Sequence, residues 1–313
     1  MTTGQSSQYR VDILMATYNG EKYIAQQLDS ILNQTFQDWR LMIRDDGSSD
    51  KTVAIMNEYA LQHPDKIIVI PQAQHLGPKE NFAGLLNYSQ APYTMFCDQD
   101  DVWLPTKVAV TLDAMTDLEK RLGTDLPLLV YTDLVVVDDE LSTIDQSFFH
   151  YIRNGPYFTL KSLLMQNTVA GCTVMMNQTL REMTPSIPDD AIMHDWWMGL
   201  IAAAFGKIVC LSESTILYRQ HNTNTAGAKK GSFRRVLHDL FLGAWRRDIK
   251  GSQVQAAAFR KFYEGRLDGA TNRMIIDYAS LSDKSFFVRK WIIIKYHLYA
   301  GKIMHALGIL LFI

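Results

Sequence analysis

The sequence predicts an α/β fold in which a mainly parallel, Rossmann-like β-sheet is flanked by helices. Short apolar runs typical of buried strands alternate with segments of helical periodicity along the first half of the chain. Repeated strand–helix units of this kind place helices on both faces of a parallel sheet. Polar clusters follow several of the apolar runs directly. They therefore lie at the carboxyl ends of the strands, where such sheets carry their functional loops.

Strands and helices alternate from the N-terminus onward. The predicted strands are Arg10–Ala16, Trp39–Arg44, Ile67–Pro71 and Tyr93–Cys97. The predicted helices begin near Tyr23, near Lys51 and at Lys79, and the last of them ends at Tyr88. The turn before Lys51 is rich in Asp and Ser, residues that cap helix N-termini. This order predicts parallel pairing of neighbouring strands.

The second part of the chain continues the sheet and then changes character. The elements predicted there are a strand at Leu128–Asp133, a segment Val135–Asp139 that extends it or pairs with it, a strand at Gly171–Met176 and a helix at Met193–Phe205. Beyond His221, basic and aromatic residues crowd a helical region. We therefore predict a boundary near Gly227, between an α/β domain (1–226) and a helical C-terminal appendage (227–313).

Charge and cysteine content exclude several classes of protein. The formal net charge of -2 gives no bulk electrostatic reason to bind nucleic acid. The cysteines Cys97, Cys172 and Cys210 are odd in number and not closely spaced, which predicts neither a disulfide framework nor a thiolate zinc site. Residues 1–8 lack the pattern of a secretory signal, and charged residues interrupt the apolar C-terminus, so no spanning helix is predicted. A cytoplasmic protein fits these features best.

Three carboxylates end the strand predicted before Trp103. Asp98, Asp100 and Asp101 stand within the segment FCDQDDVW, and such crowding is unfavourable unless a cation or hydrogen-bond donors offset the repulsion. Mg²⁺ and Mn²⁺ prefer hard oxygen ligands and commonly sit between protein carboxylates and substrate phosphates. The segment therefore predicts a metal–diphosphate site. A solvated acidic turn that caps a helix is the alternative interpretation.

The ends of the first two strands suggest a nucleotide site at the same sheet edge. Asp46 can accept a hydrogen bond from the imide of a pyrimidine ring, Tyr18 can stack on a base, and Thr17 or Asn19 can bond it. Turn-forming and helix-capping roles explain these residue types equally well when each motif is taken alone. Only their common position at the sheet edge favours nucleotide binding.

Two later motifs complete the candidate site. Asp195, in HDWW, opens a predicted helix, where a carboxylate is either an N-terminal capping residue or a general base made more basic by the neighbouring aromatic rings. His221 follows an apolar run. A lone histidine is more often structural, so His221 becomes a metal ligand only if the chain returns to the acidic crevice there.

Taken together, these motifs resemble glycosyltransferase family 2, whose members have the GT-A fold. The likeness runs from Ala16 to Asn224 and is specific because of the joint order and spacing of its motifs. In chain order the motifs are ATYNGEKYIAQQLDSILNQT, RDDGSSDKT, HLGPKENF, CDQDDVW, GCT, HDWW and YRQHNTN. The forms of the CDQDDVW, HDWW and YRQH motifs also resemble bacterial rhamnosyltransferases that act in rhamnan and O-antigen assembly.

The resemblance implies a role for each matching residue. Asp195 is the catalytic base, and Asp100 and His221 bind a divalent metal, Mg²⁺ or Mn²⁺. The implied nucleotide-sugar-binding residues are Thr17, Tyr18, Asn19, Asp46, Asp98 and Gln99. The expected sugar or acceptor contacts are His194, Trp196, Trp197 and Arg219. The chain departs from the usual pattern at His75, where the family has Asn, and at His194, where it often has Glu.

The resemblance also implies an activity. A nucleotide-diphosphate sugar, with dTDP-rhamnose expected, is attacked in one displacement that inverts the anomeric centre, and L-rhamnose passes to a polyprenyl-diphosphate-linked bacterial glycan. Another UDP- or dTDP-sugar as donor, or a non-catalytic sugar-nucleotide-binding scaffold, are alternatives. A sugar nucleotidyltransferase is a further alternative, but it would place a Gly-rich phosphate loop after the first strand, and Thr17–Gly20 offers none.

The C-terminal segment Phe286–Ile313 interleaves apolar residues with Arg289, Lys290, Lys295 and Lys302. This pattern fits a helix lying in a membrane interface, with apolar side chains at the acyl boundary and basic ones at anionic headgroups. It fits equally well an appendage packed on the α/β domain or on a second subunit of a homo-oligomer. Both interpretations stay open on the sequence alone.

Overall fold

The computed structural model describes residues 9–71, 74–152, 155, 158–221 and 244–298. Its strands are β1 Val11–Thr17, β2 Trp39–Asp45, β3 Ile67–Ile70, β4 Tyr93–Asp98, β5 Val102–Trp103, β6 Leu128–Val137, β7 Thr143–Asp145, β8 Met175–Asn177 and β9 Lys207–Arg219. Its helices are α1 Ile24–Leu32, α2 Thr52–Gln62, α3 Pro78–Leu86, α4 Lys107–Leu122, α5 Phe148–Tyr151, α6 Leu160–Met165, α7 Gln178–Glu182, α8 His194–Phe205, α9 Ala244–Phe262, α10 Gly269–Ala279 and α11 Phe286–Tyr296. Short 3-10 turns lie at Gly171–Thr173 and Leu281–Asp283.

All of these strands belong to one sheet. Its order is β3-β2-β1-β4-β8-β6-β9-β5, with β7 paired to β6. The strands β3, β2, β1 and β4 are parallel, as are β6 and β9, whereas β8 runs antiparallel to both β4 and β6. The predicted α/β class with a mainly parallel sheet is therefore confirmed.

The register of the central strands determines where the site lies. Thr17 at the end of β1 is opposite Asp45 on β2, and Ala16 is opposite Asp98 on β4. The carboxyl ends of these strands are thus level with one another, so the loops that follow them project from one edge of the sheet.

Side-chain alternation along β1 divides the core between the two faces of the sheet. Leu14 packs in a cluster with Phe82 of α3 and Trp197 of α8. Ile13 and Met15 point to the opposite face and pack in a cluster with Leu28 of α1. Helices therefore cover both faces, as the strand–helix alternation of the sequence predicts.

Most predicted elements are confirmed, and one is wrong in part. Val135–Asp139 extends the preceding strand, because β6 continues to Val137. The strand predicted at Gly171–Met176 is instead a 3-10 turn followed by the short β8. The N–H of Thr173 and the N–H of Val174 donate to the carbonyls three residues earlier, and these bonds replace ladder hydrogen bonds at the start of the predicted strand.

The C-terminal helices share a core with α8. The ring of Phe259 on α9 lies 5.4 Å from that of Trp197, and the hydroxyl of Tyr263 donates to the carbonyl of Met183 at 2.7 Å. The boundary predicted near Gly227 lies outside the described residues and stays a prediction. Within the described part of the chain, no helix is both long enough and apolar enough to cross a membrane.

Candidate active site

Acidic side chains converge at the carboxyl edge of the sheet. Asp98 ends β4 and is half-buried. Burial, together with the negative charges of Asp100 and Asp195, raises the pKa of Asp98 to about 7. These charges act on Asp98 because the three carboxylates lie near one another, although Asp195 lies far along the chain from the other two.

The end of β9 returns to this crevice and brings His221 onto Asp100. The His221 Nε2 atom lies 2.8 Å from Oδ2 of Asp100. The imidazole also stacks on the ring of Tyr23, with the ring centroids 4.7 Å apart and an interplanar angle of 27°. The chain therefore returns to the acidic crevice at His221, which is the arrangement that a metal ligand at this position requires.

The donor atoms fit a divalent cation. Burial and repulsion from its neighbours raise the pKa of Asp101 as well as that of Asp98, so a cation placed here would relieve the crowding of negative charge. Carboxylate oxygens and a neutral imidazole are suitable ligands for Mn²⁺. The residues best placed to hold the cation are Asp100 and His221, with Asp98 beside them.

A second group of potential metal ligands lies deeper in the protein, and it is less suitable for binding a divalent cation. Ligand atoms of Asp98, Asp101 and Cys172 fall within 4.8 Å of one another. Burial raises the pKa of the Cys172 thiol well above its usual value, so this group is protonated and is a poor partner for a hard cation. The ammonium of Lys107, buried over the ring of Trp103, adds positive charge to the same region. Asp100 and His221 are therefore the better candidates for a cation site, and we propose them for that role.

Asp195 occupies the first turn of α8 and faces the acidic crevice. Its Oδ2 accepts a hydrogen bond from the backbone N–H of Gly171 at 3.1 Å, and its Oδ1 accepts one from the N–H of Trp196 at 2.6 Å. Burial nevertheless raises the pKa of Asp195 to about 6, because desolvation outweighs these bonds and the contact with Asn167. A carboxylate with such a pKa is suited to accept a proton near neutral pH.

Gly171 permits the close approach of the 3-10 turn to Asp195. A Cβ atom at this position would lie 3.3 Å from Oδ2 of Asp195 and 3.1 Å from Nε2 of His194. Any side chain would therefore compress the very contact that orients the carboxylate. This packing explains the glycine of the GCT motif.

The residues predicted to bind the base cluster around the ends of β1 and β2. The hydroxyl of Thr17 donates to Asp45 at 2.9 Å. Both carboxylate oxygens of Asp46 accept backbone N–H groups, from Leu76 at 2.8 Å and from Gly77 at 2.7 Å. Asp46 thus holds in place the loop that carries His75.

Tyr18 forms an exposed aromatic surface beside Asp46. Its side chain is 46% exposed, and its ring centroid lies 4.5 Å from that of His75. The amide of Gln99 bonds both backbone groups of Tyr18, at 2.9 Å to its N–H and 2.8 Å to its carbonyl. The backbone N–H of Asn19 donates to the hydroxyl of Ser48, and its side-chain oxygen accepts the N–H of Ser49. Gln99 and Asn19 therefore position the loop in this structure.

Comparison with known proteins finds a family match over the first part of the chain. Residues 12–128 match the sequence model of the family described as Glycosyl transferase family 2. The chain carries a glycosyltransferase family 2 domain. The matched segment includes Asp98 and Asp100, so the resemblance noted in the motifs is confirmed.

Two named relatives of this glycosyltransferase are bacterial. The dTDP-rhamnosyl transferase RfbG of Shigella flexneri is 28% identical over 270 residues, which is 81% of this chain and 88% of RfbG. The UDP-Glc:alpha-D-GlcNAc-diphosphoundecaprenol beta-1,3-glucosyltransferase WfgD of Escherichia coli is 32% identical over 173 residues, which is 55% of this chain and 62% of WfgD.

Solved structures show that the glycosyltransferase has the GT-A fold. The mannosyltransferase PcManGT from Pyrobaculum calidifontis, in complex with GDP-Man and Mn²⁺, aligns with a TM-score of 0.56 over 96% of this chain and 79% of its own, at 16% identity. S. aureus TarS aligns with a TM-score of 0.55 over 88% of this chain, at 17% identity. The glycosyltransferase spans 44% of the TarS chain.

Two residues expected to contact the sugar lie inside the glycosyltransferase instead. Trp197 is fully buried against α9. His194 is buried between Phe82 and Phe96, with ring centroids 4.2 Å and 4.7 Å away, and burial lowers its pKa to about 3, so it is neutral. Neither side chain lines the crevice. Trp196 is half-buried, and its indole N–H donates to the carbonyl of Leu163.

Arg219, also expected to contact the sugar, is buried and bonds several loops of the glycosyltransferase. Its Nε donates to the carbonyl of Asp100 at 2.9 Å, one terminal nitrogen donates to the carbonyl of Asp139, and the other donates to Oε1 of Gln26 at 2.6 Å. Its guanidinium carbon lies 4.8 Å from the centroid of the Tyr23 ring. The side chain therefore fixes the backbone that carries Asp100 instead of pointing into the crevice.

Tyr23, Asp139 and Gly171 belong to the site but are not among the predicted residues. Tyr23 stacks on His221, and its hydroxyl donates to the carboxylate of Asp139. Tyr23 lies within the first family motif and Gly171 within GCT, so the motifs contained a signal for both. Nothing in the sequence distinguishes Asp139 from a residue of an ordinary polar turn.

We predict that Arg219→Lys lowers transfer activity by about 10- to 100-fold, because an ammonium group cannot reach the separate acceptors that the planar guanidinium bonds together. The measurement is kcat/KM across a Mn²⁺ titration, with the thermal unfolding midpoint recorded beside it. Arg266→Lys is the matched control, since Arg266 also lies over an aromatic ring, that of Tyr263, but outside the crevice. Native kcat/KM and metal response in Arg219→Lys would contradict the positioning role.

Proposed function

We propose that the protein is an inverting, metal-dependent glycosyltransferase that moves L-rhamnose from dTDP-rhamnose to a growing bacterial surface polysaccharide. The observation that carries this proposal is the convergence of Asp195, with its raised pKa, on the crevice that holds Asp98, Asp100 and His221. A base and a set of metal-binding donors on one sheet edge are what a direct sugar displacement requires.

In the proposed mechanism Asp195 removes the proton from an acceptor hydroxyl. That oxygen attacks the anomeric carbon on the face opposite the diphosphate, so the configuration inverts in a single step. The backbone N–H of Gly171 keeps the carboxylate in one orientation during proton transfer. No covalent sugar–protein intermediate is required.

The leaving diphosphate needs positive charge beside it. A Mg²⁺ or Mn²⁺ held in the crevice would supply that charge to the departing diphosphate. Asp100 and His221 would hold the cation, while Arg219 and Tyr23 keep these two side chains in position. The presence of Mn²⁺ in the PcManGT complex supports the choice of cation.

The pyrimidine base is proposed to lie on Tyr18, next to Asp46. Oδ1 of Asp46 accepts one backbone N–H and retains a further lone pair, so the imide of a uracil or thymine can bond it there. Oδ2 accepts the N–H of Gly77 and also lies 3.0 Å from Nδ1 of His75. The exposed ring of Tyr18, supported by His75, offers a stacking surface. Thr17 contributes by bonding Asp45, and Asp98 is proposed to contact the ribose.

The proposed donor and acceptor are supported by the names of the relatives. RfbG is named as a dTDP-rhamnosyl transferase, and WfgD is named for a diphosphoundecaprenol-linked acceptor. We therefore propose dTDP-rhamnose as the donor and a polyprenyl-diphosphate-linked glycan as the acceptor. Such an acceptor stays in the cytoplasmic leaflet, which would bring a cytoplasmic protein to the inner face of the plasma membrane.

A donor screen tests the proposal. Purified protein is incubated with dTDP-rhamnose, UDP-glucose or UDP-galactose and Mg²⁺ or Mn²⁺, and release of the nucleotide diphosphate is measured. We expect dTDP-rhamnose to give the highest kcat/KM and chelation of the metal to abolish release. Faster release from a UDP-sugar would reassign the donor. No release from any donor, with nucleotide binding intact, would favour the non-catalytic scaffold.

A further inference from the structure

The last described helix, α11, exposes an apolar stripe. Phe287 is 82% exposed, and Trp291 and Ile294 are each 58% exposed. These residues are spaced four and three positions apart, so they lie on one face of the helix. Ile292 and Ile293, on the opposite face, are buried in the core shared with α8 and α9. The helix is therefore anchored to the protein by one face while its large apolar side chains point outward.

Basic side chains border this stripe. The Nζ atom of Lys295 lies 4.5 Å from the ring centroid of Trp291, and the side chain of Lys284, just before the helix, is exposed. The Nζ atom of Lys290 lies 4.8 Å from the ring centroid of Phe286 but is buried. Lys295 also lies 3.5 Å from Asp277. No Asp or Glu occurs from Lys284 to the last residue of the sequence, although the whole chain has a net charge of -2. The segment that carries the exposed rings therefore contributes only basic charge to this surface.

We propose that the stripe Phe287–Trp291–Ile294 and its flanking lysines form a docking surface for an anionic lipid bilayer. Aromatic and aliphatic side chains enter the boundary between headgroups and acyl chains, while lysines flanking them reach the anionic headgroups. A second copy of the chain fits this surface less well, because a symmetric contact would bring its lysines against one another. A spanning role is not required of α11.

Docking would concentrate the protein where a lipid-linked acceptor is found. This consequence rests on the proposed function, whereas the docking surface itself rests on the exposure and charge of α11. Confinement to the surface raises the effective concentration of an acceptor held in the same leaflet without any new contact to it. Transfer to a water-soluble acceptor analogue should be independent of docking.

The test uses flotation of the full chain with vesicles of phosphatidylcholine alone and of phosphatidylcholine containing phosphatidylglycerol. We expect binding to the anionic vesicles and at least about tenfold weaker binding to the neutral ones. The triple variant Phe287→Ser, Trp291→Ser and Ile294→Ser should lose binding to both. The double variant Lys284→Glu and Lys295→Glu, at two basic side chains that reach the surface, should lose the preference for anionic lipid. Leu61→Ser is the matched control, because Leu61 on α2 is also 82% exposed.

Several outcomes would overturn the proposal. The proposal is wrong if the native protein floats with neither type of vesicle. It is also wrong if the triple variant binds vesicles as well as the native protein does. A native dimer that the triple variant converts to a monomer would assign the stripe to self-association. Binding that appears only after residues 299–313 are deleted would show that the following segment covers the stripe. Thermal unfolding midpoints establish that each variant is folded. Donor hydrolysis without lipid reports on the proposed function separately.

Discussion

Replacing Asp195 with asparagine is expected to reduce sugar transfer by about 10²- to 10⁴-fold while donor affinity stays within about threefold of native. The amide preserves the shape of the side chain, but it cannot accept the proton of the acceptor hydroxyl. The measurement pairs the transfer rate with donor binding. Asp190→Asn, an exposed substitution in the loop before α8, is the matched control and should transfer at the native rate.

The native enzyme should show the matching pH dependence. Burial raises the pKa of Asp195 to about 6, and only the deprotonated carboxylate can act as a base. The kcat/KM for the acceptor should therefore be constant well above pH 6 and fall as pH decreases through that value, as the carboxylate takes up a proton. Native turnover by Asp195→Asn would remove this residue from the mechanism, whatever the pH profile.

Replacing Asp100 with alanine is expected to weaken donor binding in Mn²⁺ and to lower turnover together, each by at least about 100-fold. Asp100 is the carboxylate in contact with His221, so its loss removes one of the two residues assigned to the cation. Donor is titrated with and without Mn²⁺, and Mn²⁺ binding is measured separately by electron paramagnetic resonance. In the variant, the two donor titrations should coincide.

Asp113→Ala is the matched control for this experiment, because Asp113 is an exposed carboxylate on α4, away from the strand ends. It should retain the native metal response. A native Mn²⁺ response in Asp100→Ala would place the cation elsewhere, with the deeper group of Asp98, Asp101 and Cys172 as the next site to test.

The sheet edge could be predicted because its signals are local. Each central strand is a short apolar run, and the residue type changes abruptly to Asp, Asn or Thr where the strand ends. Parallel pairing then brings those ends together without further information. Thr17, Asp45 and Asp98 lie side by side in the structure for this reason.

The orientation of α8 could not be predicted in the same way. After its first two residues, the segment HDWWMGLIAAAF is apolar on every side, so its periodicity does not indicate which face turns inward. Packing against α9 buries Trp197, and packing against Phe82 and Phe96 buries His194. These packing partners are distant in sequence from α8, and the HDWW motif contains none of them.

Long-range contacts account for the remaining differences. In the sequence, Arg219 looks like any polar residue at the end of a strand. Its bonding partners become evident only when β9 is paired with β6. The two-residue strand β5 is too short to give a periodic signal, and it exists because Val102 and Trp103 pair with Leu217 and Ile216. A strand as short as β5 forms only when its pairing partner in the assembled sheet is in place.

The position of Arg219 has a consequence for how the protein folds. Its bond to Gln26 joins residues that are 193 positions apart, and its backbone N–H reaches Asp101 across 118 positions. Closing loops of this length is entropically unfavourable until neighbouring strands are already in place. The side chains assigned to the cation can therefore adopt their final geometry only when β9 has joined the sheet. A chain emerging from the ribosome could therefore form the candidate cation site only after β9 has been synthesised.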